Sequence, residues 1–133
     1  RQALARMYDM LKPGGRLLLL VPALPLLYGS IDKAAGHFRR YSKKGLLALT
    51  SAFGFETINS YYVNFFGILT WFLSSRILLR QNIPPSGCRA LDKVVPFLRF
   101  LESGPKPPIG QSLVYVGTRP NGQPAEYLRP GKV

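Results

Sequence analysis

Over 133 residues the chain has one cysteine, one histidine and six acidic side chains. A single Cys88 excludes an internal disulfide and any multi-cysteine metal site, and with His37 as the only histidine a zinc centre built from Cys and His is excluded as well. So low a cysteine count is compatible with a reducing compartment, and the cytoplasm is the expected location. Also missing are an internal repeat, a signal peptide, an initiator Met and any G-x-G-x-G pattern. The first residues, "RQALARMYDMLK", read as the middle of a helix, so an N-terminal part is expected to be missing.

Against six acids stand 18 Lys+Arg, a formal net charge of +12. Such a balance points to an anionic contact: nucleic acid, phospholipid or a phosphorylated substrate. Nine of the bases precede residue 54 and nine follow it, so a solvated basic surface accounts for them equally well. No helix-turn-helix spacing, zinc knuckle or RNP-like aromatic strand joins the charge, which leaves nucleic-acid binding resting on charge alone.

What is present is a core-forming pattern, with 47% of residues hydrophobic. Leu4, Met7, Tyr8 and Leu11 follow the i, i+3, i+4, i+7 rule of an amphipathic helix, stopped by Pro13 and turned by Gly14 and Gly15. "RLLLLVP" then suits a strand buried on both faces, as in a parallel sheet. After an irregular segment over residues 23–41, Ser42 is placed to cap a helix with Leu46, Leu47, Leu49 and Ala52 inward and Gly54 as its C-cap. "FETINSYYV" follows as a strand, with Phe55, Thr57, Asn59 and Tyr61 opposite Glu56, Ile58, Ser60 and Tyr62. The order α–β–α–β is that of an open α/β sheet.

Residues 63–79 are strongly apolar but carry Asn64, Thr70, Ser74, Ser75 and Arg76, and are marginal for crossing a bilayer core of about 30 Å. They are expected as an excursion packed on the domain, or lying at a membrane surface with Arg76 and Arg80 snorkelling. "NIPPSG" reads as a loop, "ALDKVVPFLRFLE" as a short apolar helix, "SGPKPPIG" as a rigid connector and "QSLVYVGTR" as a final strand. Residues 120–133 are expected to be a disordered tail.

"LKPGGRLLLLVP", a helix, "AFGFETINSYYV" and "SLVYVGTR", in this order, resemble the C-terminal half of a class I S-adenosylmethionine-dependent methyltransferase. The resemblance covers residues 1–119, and "GHFRRYS" followed by a helix is similar to the type 11 and 12 members of that family. It implies a Rossmann-like fold, here strands five to seven plus helices, whose seven-stranded sheet ends with the antiparallel pair six and seven. Residues 64–110 then form a helical insertion between these last two strands. It also implies an S-adenosylmethionine cofactor held mainly by the first half of the fold, through a glycine-rich turn and an acidic residue on the ribose. No such glycine-rich turn is found here, so the chain alone is expected to be inactive, with no cofactor-binding residue of its own.

Ligands of open α/β sheets bind beyond the carboxyl ends of the strands. The segment leaving "RLLLLVP" there offers Tyr28, Asp32, His37, Arg39, Arg40 and Tyr41 as substrate-binding candidates, and Asn64 joins them just after the next strand, where Phe65 and Phe66 are also within reach of the pocket. His37 is either a general base or a backbone-bonded loop residue. Of the adjacent arginines, one at most faces a pocket and can hold a phosphate or carboxylate, while the other pairs with Asp32 or meets solvent. Tyr28 and Tyr41 can line an apolar wall or pack in the core, Trp71 and Phe72 read as packing groups, and Cys88 beside Arg89 reads as inert. No catalytic residue is singled out, since methyl transfer asks mainly for orientation and desolvation. The expected substrate is a small or lipid-linked molecule, anionic groups included. The alternative is a basic module that binds a membrane surface without catalysis.

Overall fold

The structure, a computed structural model, describes residues 2–77, 104 and 106–121. Helix α1, Gln2–Met10, buries Leu4 and Tyr8, one helical turn apart. Met7 lies on the flank of that stripe and is 37% exposed, not inward as the spacing suggested. The guanidinium of Arg119 closes the end of α1 by donating to the carbonyls of Tyr8 at 3.1 Å and Leu11 at 2.6 Å. Gly14 takes φ +76°, a conformation open to glycine, and its N–H donates to the Arg119 carbonyl. The "LKPGG" turn is thereby tied to the exit of the last strand.

Strands β1, Arg16–Pro22, β2, Glu56–Val63, and β3, Ser112–Thr118, form a sheet in the order β1-β3-β2. The C-terminal strand β3 runs antiparallel to both neighbours, so β1 and β2 are parallel to each other without touching. Tyr115, opposite Leu19 on one side and Ser60 on the other, is fully buried with Leu113. On the same face, Leu17, Leu19, Val21 and Tyr62 meet Leu4, Tyr8, Leu46, Phe53 and Phe55. The rings of Tyr8 and Phe55 pack edge to face at 5.1 Å.

The other face corrects an expectation. Leu18 and Leu20 are 69% and 68% exposed, so β1 is covered on one side only, because the core it joins draws α1 and the helix over Lys43–Ser51 to the same face. The arrangement of the described residues is mixed α/β with a small three-stranded sheet whose neighbouring strands pair antiparallel. In β2 a bulge falls between Thr57 and Asn59, which pair with Gly117 and Val116. This extra residue, Ile58, moves Thr57 to the face of Ser60 and Tyr62, and the strict alternation expected over this strand fails there.

Helix α3, Lys43–Ser51, begins as its sequence says, with the Ser42 hydroxyl accepting from the Gly45 N–H at 3.0 Å. Leu46 is buried, yet Ala52 is exposed and Thr50 takes the inner position instead. Thr50 is tolerated there because its hydroxyl donates to the helix carbonyls of Leu46 and Leu47. Gly54 ends the element at φ +80°, and the Phe55 N–H returns to the Thr50 carbonyl.

Residues 23–41 are less irregular than their sequence suggested: they hold a 3-10 turn, Pro25–Leu27, and a short helix α2, Ser30–Ala34. Beyond β2, helix α4, Gly67–Phe72, runs into a π-helical turn, Leu73–Ile77. Among the described residues no helix is long and apolar enough to cross a membrane. The helix over "ALDKVVPFLRFLE", Cys88, Arg89, Arg80 and nearly all of the tail lie outside the described residues.

Candidate functional site

At the carboxyl end of β1 the chain leaves the sheet and comes back to it. The Ala23 N–H donates to the Gln111 carbonyl, the Leu24 N–H to the Tyr41 carbonyl, and the Tyr41 N–H to the Pro22 carbonyl at 2.8 Å. The intervening segment is therefore pinned at both ends beside β1.

Its centre is Asp32, the third residue of α2. From there its carboxylate reaches back to accept from the Gly29 N–H at 3.0 Å, an N-terminal capping contact. Arg40 Nε donates to both Asp32 oxygens, at 2.9 and 3.0 Å, and Trp71 Nε1 donates to one of them at 3.2 Å. Arg40 also donates to the Ala23 carbonyl at 2.9 Å and stacks 4.9 Å from the centre of the Trp71 ring. Neither Asp32 nor Arg40 is open to solvent, with side-chain exposures of 0% and 1%. Burial alone would push the Asp32 pKa up, but the bonds from Arg40, the Gly29 N–H and Trp71 outweigh it and hold the carboxyl below its ordinary value. These two candidates are thus brought together as a closed ion pair beneath the surface.

His37 and Arg39 are placed differently. With Pro22, Gly36, Phe38 and Tyr41 they line a cavity of about 550 Å³. His37 Nδ1 stands 3.5 Å from an Asp32 oxygen, which leaves Nε2 as the ring edge available to a ligand. The Arg39 guanidinium carbon lies over the Tyr41 ring, 4.7 Å from its centre. The Tyr28 hydroxyl donates to the His37 carbonyl at 3.0 Å and so joins this cavity to a second one. That second cavity, of about 570 Å³, is walled by Tyr28, Ser30, Lys33, Phe72, Ser75 and Ile77.

Asn64 lines neither cavity. It adopts φ +62°, accepts from the Gly67 N–H and donates to Gln111, which fixes the start of α4. Phe65 and Phe66 stack on each other edge to face at 5.4 Å. Phe72 is a cavity wall, 38% exposed, and so not the packing group that its sequence suggested. Sequence reasoning missed the polar role of Trp71 and the wall positions Lys33, Phe38 and Ser75. No signal in the sequence links Trp71 to Asp32, 39 residues away.

Chemically, the site can offer an imidazole, a guanidinium, an ammonium and hydroxyls to a ligand with an anionic group and an apolar body. Among the described residues no group of His, Cys, Asp or Glu could hold a metal ion. Nor do they fit S-adenosylmethionine. A ribose clamp needs a carboxylate with free oxygens at this end of the sheet, and Asp32 is spent on Arg40, Gly29 and Trp71. Glu56 stands at the other end, opposite Thr118, and Asp9 lies in the last turn of α1, beside the Arg119 contact. No family model, no curated protein and no solved structure matches the chain.

Proposed function

We propose that the chain is the C-terminal part of an S-adenosylmethionine-dependent methyltransferase acting on a small or lipid-linked substrate, and that this part supplies the substrate side of the site. One observation carries this reading: the last strand, β3, enters antiparallel between β1 and β2, which are themselves parallel and joined by α3. That order fits a sheet that ends with an antiparallel pair after a run of βα units.

Two further features support it. The outer edge of β1 has no strand partner among the described residues, and the Leu18 and Leu20 face is uncovered. A leucine-rich strand with one open edge and one bare face is suited to receiving further parallel strands and helices. The cofactor would then be held by that added half, and residues 22–41 would meet the substrate.

The test is a thermal-shift titration with S-adenosylhomocysteine. A longer natural form that carries a glycine-rich turn ahead of α1 is stabilised, while the present chain alone is not. Equal shifts in both, or none in either, contradict the assignment.

A further inference from the structure

Helix α4, with the sequence GILTWF, contributes no buried residue, although it is one of the most apolar stretches of the chain. Leu69 is 74% exposed, and Leu73 and Ile77 in the following π-helical turn are 47% and 59% exposed. Leu26 in the adjoining 3-10 turn is 77% exposed, and Phe38 is 98% exposed. Helix α4 packs against that 3-10 turn and runs straight into the π-helical turn. Phe72 and Ile77 share a cavity wall with Tyr28 and Lys33, and the Tyr28 hydroxyl holds the backbone of His37 next to Phe38.

We propose that this rim, at the carboxyl ends of β1 and β2, is a docking surface for an anionic phospholipid bilayer. An apolar rim of this extent on a folded domain calls for a partner. Charge selects which one. Lys33 and Arg39 stand beside the apolar residues, whereas the only described carboxylate nearby, Asp32, is buried against Arg40. Glu56 and Asp9 belong to the opposite end of the sheet. Large apolar side chains interleaved with cations, on a chain of net charge +12, suit the interface of a negatively charged membrane. Both cavities open on this rim and would face the lipid headgroups. The docking does not rest on the methyltransferase reading; only the corollary, that the acceptor is lipid-linked, does.

Vesicle flotation of the full chain tests it without any cofactor. The chain floats with vesicles of phosphatidylcholine containing about one third phosphatidylserine, and stays behind with phosphatidylcholine alone. The double variant Leu69→Glu/Leu73→Glu, and separately Phe38→Glu, lower the bound fraction about tenfold. Met10→Glu, at an 83% exposed apolar position on the far end, leaves it unchanged. Near-ultraviolet dichroism of Trp71, the only tryptophan, reports that each variant keeps its fold. No flotation with anionic vesicles overturns the proposal, as does flotation that ignores lipid charge or falls equally with Met10→Glu. A dimer that the rim variants dissociate, in a chain that does not float, assigns the rim to a second copy instead.

Discussion

Arg40 Nε bonds both carboxylate oxygens of Asp32, at 2.9 and 3.0 Å, and neither side chain is open to water. A buried ion pair of this kind costs much of its own attraction in desolvation, so its net worth is small while both partners remain. Removing one partner strands the other. Asp32→Ala and Arg40→Ala are each expected to destabilise the chain by about 3–5 kcal/mol. The double variant loses much less than the sum, which a urea-denaturation cycle measures directly. Arg40→Lys does not rescue, because a lysine cannot bond the carboxylate and the Ala23 carbonyl while stacking on Trp71.

The same pair makes the fold sensitive to acid. The Asp32 pKa is held below its ordinary value of 3.8, so the unfolded chain takes up a proton at a higher pH than the folded one. The stability that the carboxylate contributes is complete above 3.8 and is lost as the pH falls below it, through the lowered folded-state pKa. In Asp32→Asn this titration is gone. Its stability, lower at neutral pH, should fall less steeply between neutral and strongly acidic pH than that of the parent, by denaturation at a series of pH values.

Local rules made several elements readable: Ser42 as a cap, Gly14 and Gly54 at positive φ, and a final strand in which Leu113 and Tyr115 alternate with Val114 and Val116. What failed depends on how elements meet. The bare face behind Leu18 follows from α1 and α3 choosing the same side, and the bulge at Ile58 from the register with β3. At the candidate site, the cluster "DKAAGHFRRY" supplies both members of the buried ion pair and a cavity wall, yet which arginine turns inward is decided by Trp71 and Ala23, far off in sequence. Trp71 looked like core because an indole is mostly apolar, and its single N–H found the buried carboxylate of Asp32.

Gly29, the N-cap of α2, is where this helix packs against the π-helical turn. A Cβ placed on it would strike the Ser75 side chain and backbone, and Ser75 is itself fully buried, accepting from the Ile31 N–H and, through its carbonyl, from Ser30. Gly29→Ala is therefore expected to cost about 1–3 kcal/mol by overpacking and to loosen α4 from the loop. Gly36→Ala is the contrasting case. Nothing lies within 4 Å of its Cβ, so its penalty is only the strain of φ +73°. Thermal melts of both variants, with hydrogen exchange at the Ile31 amide, separate the two causes, since only Gly29→Ala exposes that amide.

Tyr115 sits fully buried in the centre of the sheet, and its hydroxyl has no hydrogen-bond partner among the described residues. A buried hydroxyl left unpaired carries a desolvation penalty of about 1–3 kcal/mol. Tyr115→Phe keeps the ring against Leu113 and Leu19 and removes that penalty. The variant is expected to be as stable as the parent or more so by up to about 1 kcal/mol, in contrast to the usual cost of trimming a core side chain. A lowered denaturation midpoint would mean that the hydroxyl has found a partner.

Leu18 and Leu20 give the proposed assembly its sharpest stability test. In the present chain both side chains are about two thirds exposed, so Leu18→Lys and Leu20→Lys remove little buried area. Each is expected to change stability by no more than about 0.5 kcal/mol, as for an ordinary surface position. In a longer form whose added half covers this face, the same lysines would have to bury an ammonium or push the halves apart. The cost there rises to several kcal/mol, because an unpaired charge under an apolar layer is expensive. Urea midpoints measured for both lengths decide it. If the lysines are harmless in the long form too, that face is solvent-exposed there and the proposed placement of an added half on it fails.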